Sequence, residues 1–168
     1  VSLATGDIIV NLHDGDEYNC KLLKRVEERF ETVPNCGMVF WASTTNHRHP
    51  RGIADVTPGR LLFEQHHLLG SSSNTWGTPP VRKSVYDEVG CFDPKYGVYA
   101  DVDMWMRICR IADICYLREP MMDLEPGSLV RRWSWRNPLI TQAMILENIR
   151  RLYSDQPDIL QFAMVKQL

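Results

Sequence analysis

The sequence of 168 residues contains no apolar run long enough to cross a bilayer. It also lacks a secretory signal and does not begin with methionine. Because its 19 basic residues are balanced by 21 acidic residues, it lacks the basic excess that is typical of a general nucleic-acid binder. We therefore expect neither a membrane-spanning protein nor a nucleic-acid partner.

The five cysteines include no CxxC pair, and an odd number cannot be fully paired within one chain. Most of them stand in apolar surroundings, where a free cysteine behaves as a small hydrophobic side chain. This pattern favours a reducing compartment, so we expect a cytoplasmic protein without a disulfide framework.

The composition is 44% hydrophobic and 24% charged, which is typical of a packed globular core. The length suits about one domain. The chain opens on VSLATGDIIV, almost directly in a predicted strand. We therefore expect it to be a piece of a longer protein.

The first part of the chain predicts an α/β sheet. Residues 7–12 contain β-branched side chains and predict a short buried strand. An amphipathic helix over 18–33 is ended by Pro34, and a second strand is predicted over 37–42. A strand, a helix and a strand within about 35 residues are typical of α/β folds.

The rest of the chain alternates predicted loops with helices and strands. Ser84 is predicted to cap a short helix, with Asp87 completing an approximate capping box and Gly90 ending it. Asn137 is predicted to cap a later helix that begins with Pro138. The predicted elements are loops over 43–57 and 71–80, helices over 61–69, 84–89, 101–111, 138–153 and 158–165, and strands over 114–117 and 121–124.

Two carboxylates, Asp14 and Asp16, follow the first predicted strand in the stretch IIVNLHDGD. Ligands of open α/β sheets bind beyond the carboxyl ends of the strands. Two carboxylates one residue apart can share Mg²⁺ or Mn²⁺, and Gly15 between them allows a sharp turn. Asp-Gly is also a common tight-turn dipeptide, so a metal site and a plain turn both fit this stretch.

Two further carboxylates lie in the stretch YADVDMWMR, residues 99–107. Arg107 comes four residues after Asp103, so we interpret the two as a structural ion pair on a helix. This leaves Asp101 to face a cleft, where a carboxylate can act as a general base. A helix cap is the alternative role for Asp101, and the residues alone leave the choice open.

Two segments rich in tryptophan and arginine have more than one interpretation. Trp76, in a predicted loop, could stack on a sugar ring or anchor the loop by packing. The stretch RRWSWR, residues 131–136, contains Arg132, which could pair with a diphosphate. The same stretch also suits a membrane surface, or a solvated basic turn over packed tryptophans.

In the order of its motifs, the sequence resembles the family 2 glycosyltransferases, which are inverting enzymes of the GT-A fold. The strand that ends in LHDGD is similar to the family's strand that ends in D-x-D. VRKSVYDEVGCFDPKY is similar to the Arg-(Arg/Lys)-Ser segment and V-G-G-F-D turn, with Cys91 in place of the second glycine. ADVDMWMRI is similar to the E-D-x-D-L-W-x-R helix, with Ala100 in place of the acidic residue, and DICYLREPMMDL resembles the next strand. The resemblance covers roughly residues 5–130.

The resemblance implies a reaction and a role for several residues. Asp14 and Asp16 would hold Mg²⁺ or Mn²⁺ at the diphosphate of a nucleotide-sugar donor, and Asp101 would deprotonate the acceptor hydroxyl. The sugar would be transferred with inversion to a saccharide or lipid-linked acceptor, as in cell-envelope polysaccharide synthesis. Asp93 would lie in the turn beside the acceptor, where we interpret Phe92 as a packing residue.

The resemblance also implies a partial GT-A fold with a mixed sheet flanked by helices. The family's first half, which binds the nucleotide base and ribose, has no counterpart in this sequence. We expect one partial domain over 1–168, with a sheet and catalytic portion over 1–130 and a helical extension over 131–168. Pairing at the exposed edge of such a half-sheet would give a homodimer.

Two rival functions stay open at this point. A truncated transferase fold can serve as a non-catalytic interaction or carbohydrate-binding module. Adjacent His13 and Asp14 also suggest a metal-dependent phosphohydrolase, although such enzymes place this pair on helices of all-α folds. Leu129 stands where processive family members have the Gln of Q-x-x-R-W, so processive polymer synthesis is not expected.

Overall fold

The computed structural model describes residues 1–12, 17–42, 54–67, 79–123 and 138–165. These residues form a mixed α/β structure with a sheet of five strands and a second sheet of two. The strands are β1 (Ile8–Ile9), β2 (Glu17–Tyr18), β3 (Cys36–Ala42), β4 (Val56–Thr57), β5 (Val81–Arg82), β6 (Asp113–Pro120) and β7 (Met122–Asp123).

Helices flank the larger sheet. They are α1 (Leu22–Thr32), α2 (Gly59–His67), α3 (Lys83–Val89), α4 (Ala100–Cys109), α5 (Pro138–Leu152) and α6 (Pro157–Val165), with a 3₁₀ turn over Pro94–Tyr99. In the described part of the chain, no helix is both long enough and apolar enough to cross a membrane.

The strand order β1-β5-β3-β6-β4 places the carboxyl ends of three strands at one edge of the larger sheet. β3 and β6 are parallel, and β5 is antiparallel to both β1 and β3. β1, β3 and β6 therefore point the same way, and β5 begins at the edge where they end. The second sheet joins β2 to β7, which follow β1 and β6 along the chain.

Alternate residues of β3 enter two apolar cores on opposite faces of the sheet, as the two-residue period of a strand requires. Met38 and Phe40 belong to the first core, and Val39 and Trp41 to the second. Both faces are covered, so this strand is a nearly continuous apolar run. The helix α1 covers the second core with three fully buried side chains, Leu22, Val26 and Phe30.

The two C-terminal helices contribute to the first core. Met144 of α5 and Ala163 of α6 are buried in it. Glu147 of α5 accepts hydrogen bonds from the hydroxyl of Tyr96 and from Lys95 Nζ, at 3.0 Å for Lys95, and these bonds lower the pKa of Glu147. They join α5 to the 3₁₀ turn. The predicted domain boundary near residue 130 lies outside the described residues.

Most predicted elements are confirmed, with shifts at their ends. The predicted strand over 37–42 is β3, and the helices predicted over 61–69, 101–111 and 158–165 are α2, α4 and α6. Helix α1 begins at Leu22 rather than at residue 18, because Glu17 and Tyr18 pair with Asp123 and Met122 in the second sheet.

Three local predictions are wrong. The first strand has only two residues, and Val56–Thr57 forms a strand within a predicted loop. Ser84 does not cap α3, because β5 leads directly into the helix and Arg82 occupies the N-cap position without a side-chain hydrogen bond. The Lys83 N–H donates to the carbonyl of Asp7 at 2.8 Å, which extends the pairing with the β1 segment to the first helical residue.

Gly59, the first residue of α2, lies where the chain leaves no room for a side chain. A Cβ atom there would lie 2.3 Å from the carbonyl oxygen of Ala112 and 2.4 Å from that of Cys109. Both are backbone atoms, so the clash cannot be relieved by a side-chain rotation. The approach of α2 to the connection between α4 and β6 therefore requires glycine.

We expect Gly59→Ala to lower the free energy of unfolding by about 2 kcal/mol, the usual cost of overpacking a close contact. Urea unfolding monitored by circular dichroism measures this change. Gly6→Ala is the matched control, because its Cβ atom would meet only the Ile8 carbonyl oxygen, at 3.8 Å. Equal stability of Gly59→Ala and the original chain would contradict the close approach of α2.

Candidate functional site

A cleft of about 360 Å³ opens at the edge of the sheet where β1 ends and β5 begins. Segments that are distant in sequence meet there: the end of β1, the residues before β5, α3, the turn after α3, and α4. The described residues that line the cleft are Val10, Asn11, Leu12, Pro79, Tyr86, Phe92, Asp101 and Trp105. The volume is within the range of small-molecule sites.

The segment after β1 is held in place at the cleft by polar contacts. Asn11 Nδ2 donates to the Tyr86 hydroxyl at 3.2 Å, and the Tyr18 hydroxyl donates to the Asn11 carbonyl. Burial raises the pKa of Tyr86, so its hydroxyl stays protonated near neutral pH. Asn11 is thus tied both to α3 and to the second sheet.

Residues 13–16 lie outside the described part of the chain, but the residues on both sides of them are placed. Leu12 lines the cleft, and Glu17 pairs with Asp123 in the second sheet. The predicted metal ligands Asp14 and Asp16 thus belong to the four residues between Leu12 and Glu17. Their role stays a prediction.

Asp101 lies in the first turn of α4 and contributes a half-buried carboxylate to the cleft. Its Oδ1 accepts a hydrogen bond from the Val102 N–H at 2.7 Å. The amino end of a helix favours a negative charge, so this position suits an ionised carboxylate. Trp105, one turn later, lines the same cleft and meets the Phe40 ring edge-on, with 5.7 Å between the ring centroids.

The predicted pair of Asp103 and Arg107 is confirmed and is buried. Arg107 Nε donates to Asp103 Oδ2 at 2.9 Å, and Asn148 of α5 donates to Asp103 Oδ1 at 2.9 Å. The other guanidinium nitrogens donate to backbone carbonyls of the turn after α3, at 2.6 Å for Val89 and 2.9 Å for Cys91. One buried ion pair therefore joins α4, α5 and this turn.

The turn after α3 brings Phe92 to the cleft. Gly90 ends the helix with a φ of 82°, in the left-handed region that favours glycine. Phe92 packs against the ring of Tyr86, with centroids 6.2 Å apart, and remains 40% exposed. The sequence analysis assigned Phe92 to packing, and the structure adds that its exposed part faces the cleft.

Asp93, predicted to contact substrate, caps the 3₁₀ turn that follows it. Its Oδ1 accepts from the Lys95 N–H at 3.0 Å, and its Oδ2 lies 3.2 Å from Lys95 Nζ. The backbone hydrogen bond from Lys95 is the main cause of the lowered pKa of Asp93. The described lining of the cleft includes Phe92 but not Asp93, and a substrate role for Asp93 stays a prediction.

Two further predicted site residues, Trp76 and Arg132, lie outside the described residues. Within the described residues, no group of three or more His, Cys, Asp and Glu side chains could hold a metal ion. Sequence reasoning missed Asn11 and Tyr86 as cleft residues. Asn11 carried a usable signal, because it is a polar residue among the apolar residues near the end of the predicted strand over 7–12.

We expect Asp103→Asn to lower the free energy of unfolding by about 3 kcal/mol, because it leaves the Arg107 charge buried without its counterion. Urea unfolding measures the loss. Asp87→Asn is the matched control, because Asp87 forms an exposed pair with Lys83, also four residues apart, at 3.3 Å. That substitution should leave stability nearly unchanged. A similar small effect of Asp103→Asn would contradict a structural role for the buried pair.

The fold is similar to that of a solved glycosyltransferase, although its sequence is not. Structural comparison matches the chain to the crystal structure of S. aureus TarS 1–349, with a TM-score of 0.64 and 12% sequence identity. The match covers 98% of this chain and 48% of the TarS chain, so the chain spans about half the length of TarS. No protein-family model and no curated protein sequence matches the chain. The predicted mixed sheet flanked by helices is confirmed, and its arrangement is similar to that of the matched part of TarS.

Proposed function

We propose that the cleft is the catalytic cleft of a glycosyltransferase that transfers a sugar from a nucleotide-diphospho-sugar to an acceptor hydroxyl with inversion. One observation carries the proposal: Asp101 lines the same cleft as Leu12, which lies two residues before Asp14. The candidate base therefore shares a cleft with the residue from which the chain continues, two positions later, to the candidate metal ligands. The similarity to the TarS fold supports a transferase class for this architecture.

Asp101 would act as the general base. In an inverting transfer, the acceptor oxygen forms a bond to the anomeric carbon while the bond from that carbon to the diphosphate oxygen breaks. The hydroxyl proton passes to the Asp101 carboxylate as the new bond forms. The hydrogen bond from Val102 N–H to Oδ1 holds the carboxylate in one orientation.

Asp14 and Asp16 would hold Mg²⁺ or Mn²⁺. Two carboxylates form a donor set that suits a hard divalent cation, with the remaining positions left to water and phosphate oxygens. When bound, such an ion neutralises charge on the departing diphosphate. The chain's own contribution is to supply these two carboxylates in the segment after β1, in which Asn11 is held at the cleft by its hydrogen bond to Tyr86.

The first rival function, a binding module, would also suit a cleft that combines Asp101 with aromatic side chains, so turnover is what separates it from the transferase. The second rival fits the cleft less well. A phosphohydrolase of the His-Asp type would place that pair on a helix, whereas His13 and Asp14 follow the segment of β1. We also propose that the reaction belongs to cell-envelope polysaccharide synthesis and that its donor is a nucleotide sugar, as the sequence resemblance implies.

We expect Asp101→Asn to lower transfer by about 100-fold or more, because it removes the base and keeps the shape of the side chain. The assay incubates the 168-residue chain with UDP-, dTDP- and GDP-sugars, MnCl₂ and neutral methyl glycosides, and measures the nucleoside diphosphate released. Calorimetry should show donor affinity within about twofold of the original, because binding does not use the base.

Asp158→Asn is the matched control, because Asp158 also lies in the first turn of a helix and is exposed away from the cleft lining. It should keep full activity. Full activity of Asp101→Asn would remove Asp101 from the mechanism. Manganese-dependent donor binding without turnover by the original chain would favour the non-catalytic module, and phosphate release from a model ester would favour the phosphohydrolase.

A further inference from the structure

The connection between α3 and α4 has a cleft residue near each of its ends. This connecting segment covers residues 90–99 and includes Phe92, and Asp101 lies two residues beyond it in the first turn of α4. Arg107 fixes the first part of the segment by donating to two backbone carbonyls around the end of α3. A second anchor lies nearer to Asp101.

Tyr96 provides this second anchor. Of the side chains that the structure describes in the connecting segment, it is the buried one, with 4% of its surface exposed, and its ring lies in the first apolar core. Its hydroxyl donates to the carboxylate of Glu147 on α5. The buried ring and the bonded hydroxyl together hold the middle of the segment against α5.

Lys95 adds a charged contact to the same carboxylate. Its Nζ lies 3.0 Å from Glu147 Oε2 and 3.2 Å from Oε1, and it lies 4.6 Å from the centroid of the Tyr96 ring. Hydrogen bonds to an ionised carboxylate are stronger than those between neutral groups. Glu147 therefore ties two neighbouring residues of the connecting segment to α5.

We propose that Glu147 is a positioning residue for the cleft, which holds the connecting segment so that Asp101 keeps its place. Glu147 is not among the described residues that line the cleft, and it acts through Tyr96 and Lys95. This inference rests on the proposed function, because Asp101 is the base of that reaction. It would make α5 part of the catalytic unit, in addition to the predicted sheet and catalytic portion over 1–130.

Two-dimensional NMR of the ¹⁵N-labelled 168-residue chain tests the anchor without donor, acceptor or metal. We expect Glu147→Ala to shift or broaden the amide signals of Phe92 and Asp101, because the segment between them loses its tie to α5. Tyr96→Phe should act in the same direction, because it removes the hydroxyl and keeps the buried ring. Glu147→Gln should stay closer to the original chain, because its amide oxygen still accepts from Tyr96.

Glu64 of α2 offers a matched control. It accepts a hydrogen bond from the hydroxyl of buried Tyr153 at 3.1 Å and pairs with Arg60, whose guanidinium lies 5.3 Å from the centroid of the Tyr153 ring. This cluster also combines a buried tyrosine, a glutamate and a cation over the ring, but it joins α2 to the end of α5. Glu64→Ala should therefore leave the amide signals of Phe92 and Asp101 unchanged.

The release of nucleoside diphosphate measures the consequence for the reaction. Glu147→Ala should lower kcat about tenfold and keep the donor KM within about twofold, because a displaced base slows the chemical step while donor binding does not use it. Glu147→Gln should restore most of the lost kcat. Glu64→Ala should keep the kcat of the original chain.

Unchanged signals of Phe92 and Asp101 in Glu147→Ala, or equal changes in Glu64→Ala, would overturn the inference. So would an unchanged kcat of Glu147→Ala in an active chain. The proposed function fails separately. If the original chain consumes no sugar nucleotide but Glu147→Ala alone moves both signals, the transferase proposal is wrong and the anchor stands. If the chain is active and Glu147→Ala changes neither the signals nor kcat, the transferase proposal stands and Glu147 has no positioning role.

Discussion

The buried ion pair between Asp103 and Arg107 is the contact on which the cleft depends. Both charges are removed from water, and such a pair is tolerated only when the remaining hydrogen-bonding groups are also satisfied. Here Asn148 of α5 and two backbone carbonyls of the turn after α3 provide those partners. The pair therefore adds a buried polar connection between three elements that also pack together in the first apolar core.

The same ion pair helps to position the cleft residues that the proposed reaction uses. Asp101 precedes Asp103 by two residues on α4, so fixing one side of the helix leaves the other side at the cleft. The turn that Arg107 binds carries Phe92, so one guanidinium helps to position both Phe92 and Asp101, the proposed base. The common direction of β1, β3 and β6 supplies the second constraint, because it brings the chain after β1 to this edge of the sheet.

The sequence predicted the parts of this arrangement that depend on local periodicity. The spacing of Asp103 and Arg107 predicted their pairing, and the apolar run GMVFWA predicted β3. The sequence could not predict which strands are neighbours. β5 lies between β1 and β3, and β4, which falls in a predicted loop, pairs with β6. These pairings depend on contacts between residues far apart in the chain, which leave no periodic signal.

The sequence indicated that a site lies beyond the first strand, but it did not identify most of the residues that line the cleft. The helix pattern left open whether Asp101 faces a cleft or caps the helix, and the contribution of Tyr86 and Phe92 depends on tertiary packing of α3 against α4. The capping pattern at Ser84 gave a wrong prediction, because a strand that leads directly into a helix makes a side-chain cap unnecessary. Local capping rules apply when a loop precedes the helix.

The central claim is that Asp101 and the pair of Asp14 and Asp16 share one site. Paramagnetic relaxation measured by NMR during titration with MnCl₂ tests it most directly. The account predicts selective broadening of the amide signals of Leu12 and Asp101, little effect on α6, and loss of the broadening in a chain with both Asp14→Asn and Asp16→Asn. Broadening that persists in the double variant, or that spares Asp101 while Leu12 broadens, would contradict it.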